Sequence, residues 1–99
     1  MPVIMTTVNT RLTPAIEFKI LPESTVQYIK TQYQDTGKIL SIVGEFSQDM
    51  LTRTVTITFS DHDAALAYRT DATLYEAFNT VRMYNSANGI TLQRTIVNE

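Results

Sequence analysis

The segment that most constrains the fold of this chain is residues 51–59, which read Leu-Thr-Arg-Thr-Val-Thr-Ile-Thr-Phe. Successive side chains of a β-strand point to opposite faces of the sheet, so this alternation predicts a strand with one apolar and one polar face. The polar face carries Thr52, Thr54, Thr56 and Thr58. We therefore expect a sheet that packs on helices with one face and presents threonines on the other.

Three further segments have strand character: residues 16–20, 38–47 and 90–96. Residues 48–50 form a link that is short enough to join neighbouring antiparallel strands, so segments 38–47 and 51–59 are predicted to pair as a hairpin. Gly44 marks the expected position of a bulge in that hairpin, or of a close approach by another part of the chain.

Helical spacing follows two of the strand segments. Pro22 suits the first turn of a helix and Gly37 suits a left-handed stop, which together predict a helix over residues 22–35. Either Ser60 or Asp61 is expected to cap a second helical stretch. That stretch is predicted to break at residues 70–71 and to end at residues 88–89.

The predicted order of elements is strand, helix, strand, strand, helix pair and strand, with residues 16–20 as the first strand. Two right-handed crossovers fold this order into a four-stranded antiparallel sheet with helices on one face, the ferredoxin-like βαββαβ plan of the α+β class. Residues 1–99 are expected to form a single domain. Within it, residues 1–14 are compatible with an added edge strand or with a flexible arm.

The alternation also assigns side chains to the two faces of the sheet. The face under the helices is predicted to hold Ile16, Phe18, Ile20, Leu40, Ile42, Phe46, Val55, Ile57, Phe59, Ile90, Leu92 and Ile96. The candidate interface residues on the opposite face are Thr52, Thr54, Thr56, Thr58, Thr91, Gln93 and Thr95. Its main apolar members are Ile39, Val43 and Val97. Because ligand pockets are mostly apolar and aromatic, this composition favours a wet surface, a wet subunit interface or a hydroxyl-lined space for a small polar ligand.

The composition argues against several classes of protein. The formal net charge is −2 and the charges are scattered, so the chain has no basic patch for nucleic acid or an anionic membrane. It contains no cysteine, which excludes thiolate metal sites, disulfides and cysteine nucleophiles. The three glycines are isolated and form no phosphate-binding loop. No apolar run is long enough for a membrane span, and we expect a soluble cytoplasmic protein without a cofactor.

His62 is the only histidine and therefore the first candidate for acid–base chemistry. It lies between Asp61 and Asp63 in the first turn of a predicted helix, where adjacent side chains point in different directions. Helix capping by Asp61 accounts for this trio, since no second histidine or distant acidic cluster completes a site. No catalytic or metal-binding residue is assigned.

The five tyrosines all fall on predicted helices, where a large ring with a polar tip suits half-buried positions and interfaces. Tyr68 and Tyr75 flank the predicted helix break. Together with His62 they are the candidate residues of a cleft, and helix–sheet packing is the alternative explanation for both tyrosines.

Residues 59–78 carry a resemblance to a known superfamily. They read Phe-Ser-Asp-His-Asp-Ala-Ala-Leu-Ala-Tyr over residues 59–68 and Thr-Leu-Tyr-Glu-Ala-Phe over residues 73–78. This strand-to-helix passage resembles that of the dimeric α+β barrel proteins, the superfamily of the antibiotic-biosynthesis monooxygenases. The resemblance implies a homodimer in which two ferredoxin-like sheets meet face to face. The chain is also similar to small uncharacterised proteins of marine tailed phages.

The resemblance implies less about the reaction than about the architecture. Enzymes of the superfamily often carry tryptophan at the position of Phe59 and histidine at the position of Tyr68, and both departures argue against monooxygenase or haem-degrading activity. The favoured hypothesis is a non-enzymatic homodimeric accessory or interaction protein. The alternative is a cofactor-free small-molecule enzyme or binder of the dimeric α+β barrel type.

Overall fold

The computed structural model of the chain describes residues 1–98, which form four strands and three helices. The strands are β1 (Val3–Thr10), β2 (Ile39–Phe46), β3 (Thr52–Phe59) and β4 (Thr91–Asn98). The helices are α1 (Glu23–Ile29), α2 (His62–Arg69) and α3 (Ala72–Asn88), and a π-helical turn (Lys30–Gln34) continues α1. No helix within residues 1–98 is long and apolar enough to cross a membrane.

The four strands form one antiparallel sheet in the order β2-β3-β1-β4. Strand β1 pairs along its whole length with β3 on one side and with β4 on the other. Residues 47–51 join β2 and β3 into the expected hairpin. This order, with the helices on one face, confirms the ferredoxin-like α+β fold that the sequence predicts.

The position of β1 corrects the prediction. Residues 16–20 do not form a strand, and they belong to the connection between β1 and α1. The strand lies at Val3–Thr10 in the centre of the sheet, so residues 1–14 are neither an edge strand nor an arm. All eight residues of β1 pair with β3 on one side and β4 on the other, so their backbone groups are satisfied within the sheet and no place remains there for residues 16–20. Ile20, expected in the core, is 81% exposed.

Side-chain hydrogen bonds hold the connection between β1 and α1. The guanidinium of Arg11 donates to the carbonyl of Ile16 at 2.8 Å and lies 4.5 Å from the centre of the Phe18 ring. The hydroxyl of Tyr84 donates to the carbonyl of Glu17. These contacts attach the connection to α3 and fix a segment that has no strand partner.

A bulge in β2 changes the face on which its first residues lie. The register of β2 against β3 shifts between Ile39 and Ser41. Because a shift of one residue moves side chains to the opposite face, Ile39 lies under the helices, where Leu40 was expected. Ile39 is buried and Leu40 is exposed. Gly44, the expected bulge, pairs regularly with Val55.

The ends of the helices follow their predicted signals. The Oδ1 atom of Asp61 accepts from the backbone N–H of Ala64 at 2.8 Å and caps α2. Asp71 caps α3 directly after the break that separates it from α2. Gly37 and Gly89 have φ values of 79° and 68°, in the left-handed region that glycine tolerates at helix ends.

The core lies between the helices and the central strands. Its buried cluster consists of Val3, Met5, Ile29, Tyr33, Ile39, Ile57, Phe59, Ala64, Ala65, Tyr68 and Leu74. Ile57 and Phe59 confirm the predicted core side of β3. Four other predicted core residues lie on the expected face but are exposed: Ile42, Phe46, Leu92 and Ile96. The helices therefore cover the centre of the sheet and leave parts of both edge strands open.

Candidate functional site

The face of the sheet away from the helices is uncovered in a single copy of the chain. We call it the threonine face, and the strand register assigns to it Ile4, Thr6, Val8, Thr10, Ser41, Val43, Glu45, Thr52, Thr54, Thr56, Thr58, Thr91, Gln93, Thr95 and Val97. All the candidate interface residues predicted from the sequence lie on it. Ile39 does not, because the bulge in β2 places it on the other side.

The threonines of this face form rows across the strands. Thr6 of β1 stands opposite Thr56 of β3 on one side and opposite Thr95 of β4 on the other. A second row of the same kind contains Thr10, Thr52 and Thr91. Short hydroxyl side chains in facing positions can hydrogen-bond across strands, and they expose little charge that another protein surface would have to desolvate. Glu45, on the edge strand β2, is the charged residue of the face.

The opposite face, which we call the core face, changes character along the strands. The register assigns to it Val3, Met5, Thr7, Asn9, Ile39, Ile42, Gly44, Phe46, Arg53, Val55, Ile57, Phe59, Leu92, Arg94, Ile96 and Asn98. The end near Val3 and Phe59 is buried beneath the helices. We call the other end the open end. It is formed by Thr7, Asn9 and Arg53, which are half-buried, and by Leu92 and Arg94, which are exposed on the edge strand β4.

The open end brings together polar side chains from three strands. Arg53 of β3 stands opposite Asn9 of β1, and Arg94 of β4 stands opposite Thr7. The Oδ1 atom of Asn9 is buried and has no hydrogen-bond partner among residues 1–98. Leaving a buried acceptor without a partner costs about 1–3 kcal/mol. Because this atom has no solvent-exposed surface, a ligand could reach it only if the surrounding side chains moved.

Sequence reasoning did not single out these polar residues, although two of them carry a signal. Arg53 occupies the apolar register of β3, two residues before Val55, and Arg94 occupies that of β4, two residues after Leu92. A charge in the apolar register of two strands indicates that the cover over that part of the sheet is incomplete. Asn9 gave no signal, because β1 was not recognised as a central strand.

Tyr68 is the centre of an aromatic cluster above the buried end of the core face. Its ring centre lies 5.3 Å from those of Tyr33 and Phe59 and 5.7 Å from that of Phe78, distances typical of favourable aromatic pairs. Burial raises the pKa of Tyr68 to about 12, and the positive charge of Arg94 opposes this increase. The hydroxyl of Tyr68 is therefore protonated at neutral pH, and protein side chains fill the space around its ring.

The three candidate cleft residues occupy different surroundings. Tyr68 is buried in the aromatic cluster, whereas Tyr75 on α3 is 59% exposed, with the Arg82 guanidinium 5.2 Å from its ring centre. His62 is exposed in the first turn of α2, where it and Asp63 border an open depression of about 400 Å³. Within residues 1–98, no group of three or more histidine, aspartate and glutamate side chains is placed to hold a metal ion.

Asp71 connects the break between α2 and α3 to the end of α1. Its Oδ2 atom accepts from the hydroxyls of Tyr28 at 2.8 Å and Tyr33 at 2.6 Å, and its Oδ1 atom accepts from the backbone N–H groups of Thr73 and Leu74. Burial disfavours the charged carboxylate, but these hydrogen bonds outweigh it and lower the pKa of Asp71. Burial and the bond to Asp71 raise the pKa of Tyr33. The cluster fastens α1 to the helix pair.

Solved structures share this fold over nearly the whole chain. SnoaB, a cofactor-independent oxygenase from Streptomyces nogalater, superposes with a TM-score of 0.64 at 14% identity, covering 99% of this chain and 92% of its own. A protein from Deinococcus radiodurans assigned as an antibiotic biosynthesis monooxygenase gives 0.61 at 12% identity, covering 98% and 91%. A dimeric ferredoxin-like protein from an uncultured marine organism gives 0.57 at 11% identity, covering 99% and 96%.

No model of a known protein family matches the sequence, and no curated protein sequence is similar enough to count as a relative. At identities this low, the structural matches establish the fold alone. They confirm the ferredoxin-like fold of the single chain that residues 59–78 led us to expect. The chain therefore shares its fold with a cofactor-independent oxygenase and with a dimeric ferredoxin-like protein.

Proposed function

We propose that this chain works as a homodimer in which the threonine faces of two copies meet, and that the dimer serves as a non-enzymatic accessory or interaction protein. The observation that carries the proposal is the composition of the threonine face. Its rows of short hydroxyl side chains contain one charged residue, Glu45, which lies at the edge. Such a surface can be buried against a second copy without removing many charges from water.

The fold supports the same arrangement. One of the solved structures with this fold is described as a dimeric ferredoxin-like protein. Helices of the same chain cover the core face of β1 and β3 at the end near Val3 and Phe59, whereas the threonine face of both strands has no cover from residues 1–98. A second sheet would provide that cover and would complete a two-layer structure.

The packing around Tyr68 supports a role without catalysis. In an enzyme that oxidises an aromatic substrate, the space between sheet and helices has to admit that substrate. Here Phe59 is completely buried, and Tyr33, Tyr68 and Phe78 occupy the neighbouring volume. The side chains that would line a deep substrate pocket instead pack on one another.

A charge in the centre of the threonine face tests the dimer. Thr56→Arg would place two guanidinium groups close together in a symmetric sheet-to-sheet interface, where like charges repel. Sedimentation velocity at micromolar concentration should show a dimer for the unmodified chain and a monomer for Thr56→Arg. Thr80→Arg, an exposed threonine on α3, is the matched control and should remain dimeric. A monomeric unmodified chain would overturn the proposal.

A second candidate function is a cofactor-free small-molecule binder or enzyme, which the exposed side chains of Leu92 and Arg94 favour, because an aromatic ligand can pack on the first and accept a hydrogen bond from the second. In this function the open end of the core face holds the ligand, and the aromatic cluster forms the closed floor behind it. Titration with 4-hydroxybenzamide, a neutral phenol, tests it through the backbone amide NMR signals of Asn9 and Arg94. Shifts confined to the open end are expected, and the absence of shifts at millimolar concentration would contradict this function.

A further inference from the structure

We propose that the outer edge of β4 binds an extended segment of a partner protein, which adds a strand to the sheet and places a carboxylate opposite Arg94. This inference rests on the proposed role as an interaction protein and names its surface and its partner. Pairing at the edge uses backbone groups in the plane of the sheet, whereas the threonine faces meet through side chains that stand perpendicular to it. The two contacts therefore use different groups of the chain.

The outer edge of β4 is unpaired. Strand β4 lies at one edge of the sheet, and all eight of its residues pair with β1 on the inner side. On the outer side none of its backbone groups is paired within residues 1–98. Every residue of the strand is exposed. A row of free N–H and C=O groups of this kind is a template on which another extended chain can pair.

The other edge strand, β2, differs in its protection. It has a bulge between Ile39 and Ser41, and it carries Glu45 near its end. Bulges and charged side chains are features by which natural edge strands avoid pairing with other chains. Strand β4 keeps a regular register over its whole length and contains no proline. It is therefore the edge that can accept a partner along its full length.

The charge beside this edge favours an acidic partner. Arg94 is the only charged residue of β1 and β4, the two strands nearest to the edge. Within residues 1–98 the ion pair closer than 4 Å is Lys30–Asp35, so no carboxylate of this part of the chain pairs with Arg94. An added strand places one side chain directly opposite Arg94, with Cβ atoms about 4.5–5.5 Å apart. Glutamate or aspartate at that position is attracted, whereas lysine or arginine is repelled.

The neighbours of Arg94 determine the rest of the partner sequence. Leu92 and Ile96 lie on the same face of β4 as Arg94 and are 44% and 37% exposed. An apolar side chain opposite each of them would remove apolar surface from water. On the other face, Gln93 and Thr95 favour threonine, which suits a pleated surface. The partner segment therefore has a central carboxylate and an apolar residue two positions away on each side.

The probe is the heptapeptide acetyl-Thr-Val-Thr-Glu-Thr-Val-Thr-amide, whose ends carry no charge. Its sequence reads the same in both directions, so it offers the same side chains to β4 in parallel and antiparallel pairing. It is titrated into the unmodified chain and followed by backbone amide NMR. Shifts concentrated in residues 91–98 are expected. Shifts concentrated in residues 39–46 would show that the peptide binds at β2 and would overturn the inference.

Charge reversal tests the role of Arg94. A peptide with lysine in place of the glutamate should bind about tenfold more weakly, because repulsion replaces attraction. Arg94→Glu should reverse this preference, so that the lysine peptide binds more tightly to the variant. Arg82→Glu, at an exposed arginine on α3, is the matched control and should keep the preference for the glutamate peptide. The amide NMR spectrum of each variant shows that it is folded.

Two N-methylated peptides test the backbone pairing. In an added strand, the N–H groups of alternate residues point toward the neighbouring strand. One peptide carries N-methyl groups on the two valines and the glutamate, and the other carries them on the two inner threonines. One of them should lose binding and the other should retain it. Equal affinity of the two would contradict strand addition.

The outcomes separate this inference from the function on which it rests. No binding of the heptapeptide at millimolar concentration, or equal affinity for the glutamate and lysine peptides, would overturn the inference and leave the threonine-face dimer standing. Pairing of β4 with β4 of a second copy would give assemblies larger than a dimer in sedimentation velocity, which would also overturn it. A monomeric chain that binds the heptapeptide with the expected charge preference would overturn the dimer alone.

Discussion

The core face and the threonine face belong to the same four strands, and each strand contributes alternate residues to both. On β3 the two faces differ clearly in side-chain exposure, because Phe59 is completely buried and its neighbour Thr58 is half-buried. On the edge strand β4 the two faces do not differ in burial class, since every residue of that strand is exposed. Alternation thus determines the face on which a side chain lies, and the position of the strand in the sheet determines whether that face is covered.

The largest expected effect tests the difference between the two faces on one strand. Phe59→Ala should lower the free energy of unfolding by about 3–5 kcal/mol, because it leaves a cavity beneath Tyr68. Thr58→Ala, one residue away on the threonine face, should cost less than about 1 kcal/mol. Urea denaturation of both variants gives the comparison. Similar losses would mean that the two faces of β3 contribute equally to folding.

The next effect concerns the cover of the core face. Asp71→Asn removes the charge that accepts hydrogen bonds from Tyr28 and Tyr33, and should cost about 1–2 kcal/mol at neutral pH. Asp61→Asn, at the cap of α2, is the matched control and should cost less, since Asp61 accepts one backbone bond. The quantity to measure is again the free energy of unfolding.

The pH dependence of the same pair has a definite sign. The pKa of Asp71 in the folded chain is lower than its ordinary value of 3.8, so ionisation of this carboxyl favours folding above that value. The unmodified chain should have a higher free energy of unfolding than Asp71→Asn from neutral pH down to about pH 4. This difference should shrink as the pH falls through the lowered pKa of Asp71. An advantage that grew on acidification would contradict the hydrogen-bonding scheme.

A smaller effect is expected at the two glycines that end the helical segments. Gly37→Ala and Gly89→Ala should each cost about 1 kcal/mol, because both positions have left-handed backbone conformations. The loss of stability should be slightly larger for Gly89→Ala, since a methyl group there would lie 3.1 Å from Cδ1 of Leu12. A methyl group at Gly37 would enter open space. Thermal unfolding of the two variants would reveal the order, and equal losses would show that Leu12 moves aside.

The smallest effect is expected for an ion pair on the exposed surface, which gives a baseline for the half-buried threonine face. Lys30→Gln removes the 3.1 Å ion pair with Asp35, in which both side chains are more than half exposed. The expected loss is less than about 0.5 kcal/mol, and it should decrease with salt. A loss above that of Thr58→Ala by more than 1 kcal/mol would show that this pair is part of a larger network.

Local signals explain the parts of the fold that the sequence predicts. Asp61, the break before Asp71 and the stop at Gly89 are each determined by chemistry within a few residues, and the structure places each as expected. The hairpin of β2 and β3 follows from its short link. The threonine face also follows from alternation, because β3 has one face of each kind.

The first strand could not be predicted in this way. Strand β1 shows little alternation, because Val3 lies on the core face whereas the equally apolar Ile4 and Val8 lie on the threonine face. Residues 16–20 alternate well but lie in a connection. The sequence pattern does not predict the bulge in β2 either, because Ile39 and Leu40 are both aliphatic and either could be the buried residue. Consequently, the part of the open end contributed by Asn9 of β1 could not be predicted. Only Arg53 and Arg94, which occupy the apolar register of their strands, indicated this end of the sheet.

The π-helical turn at Lys30–Gln34 makes the attachment of α1 sensitive to chain length. The backbone N–H of Asp35 donates to the carbonyl of Lys30, five residues earlier, so the turn contains one residue more than an α-helical turn. Deletion of a single residue here would restore α-helical spacing and rotate one side of the helix by about 100° relative to the other. Tyr33 would then turn away from Asp71. One codon lost in evolution could detach α1 from the helix pair without changing the identity of any residue that makes the contact.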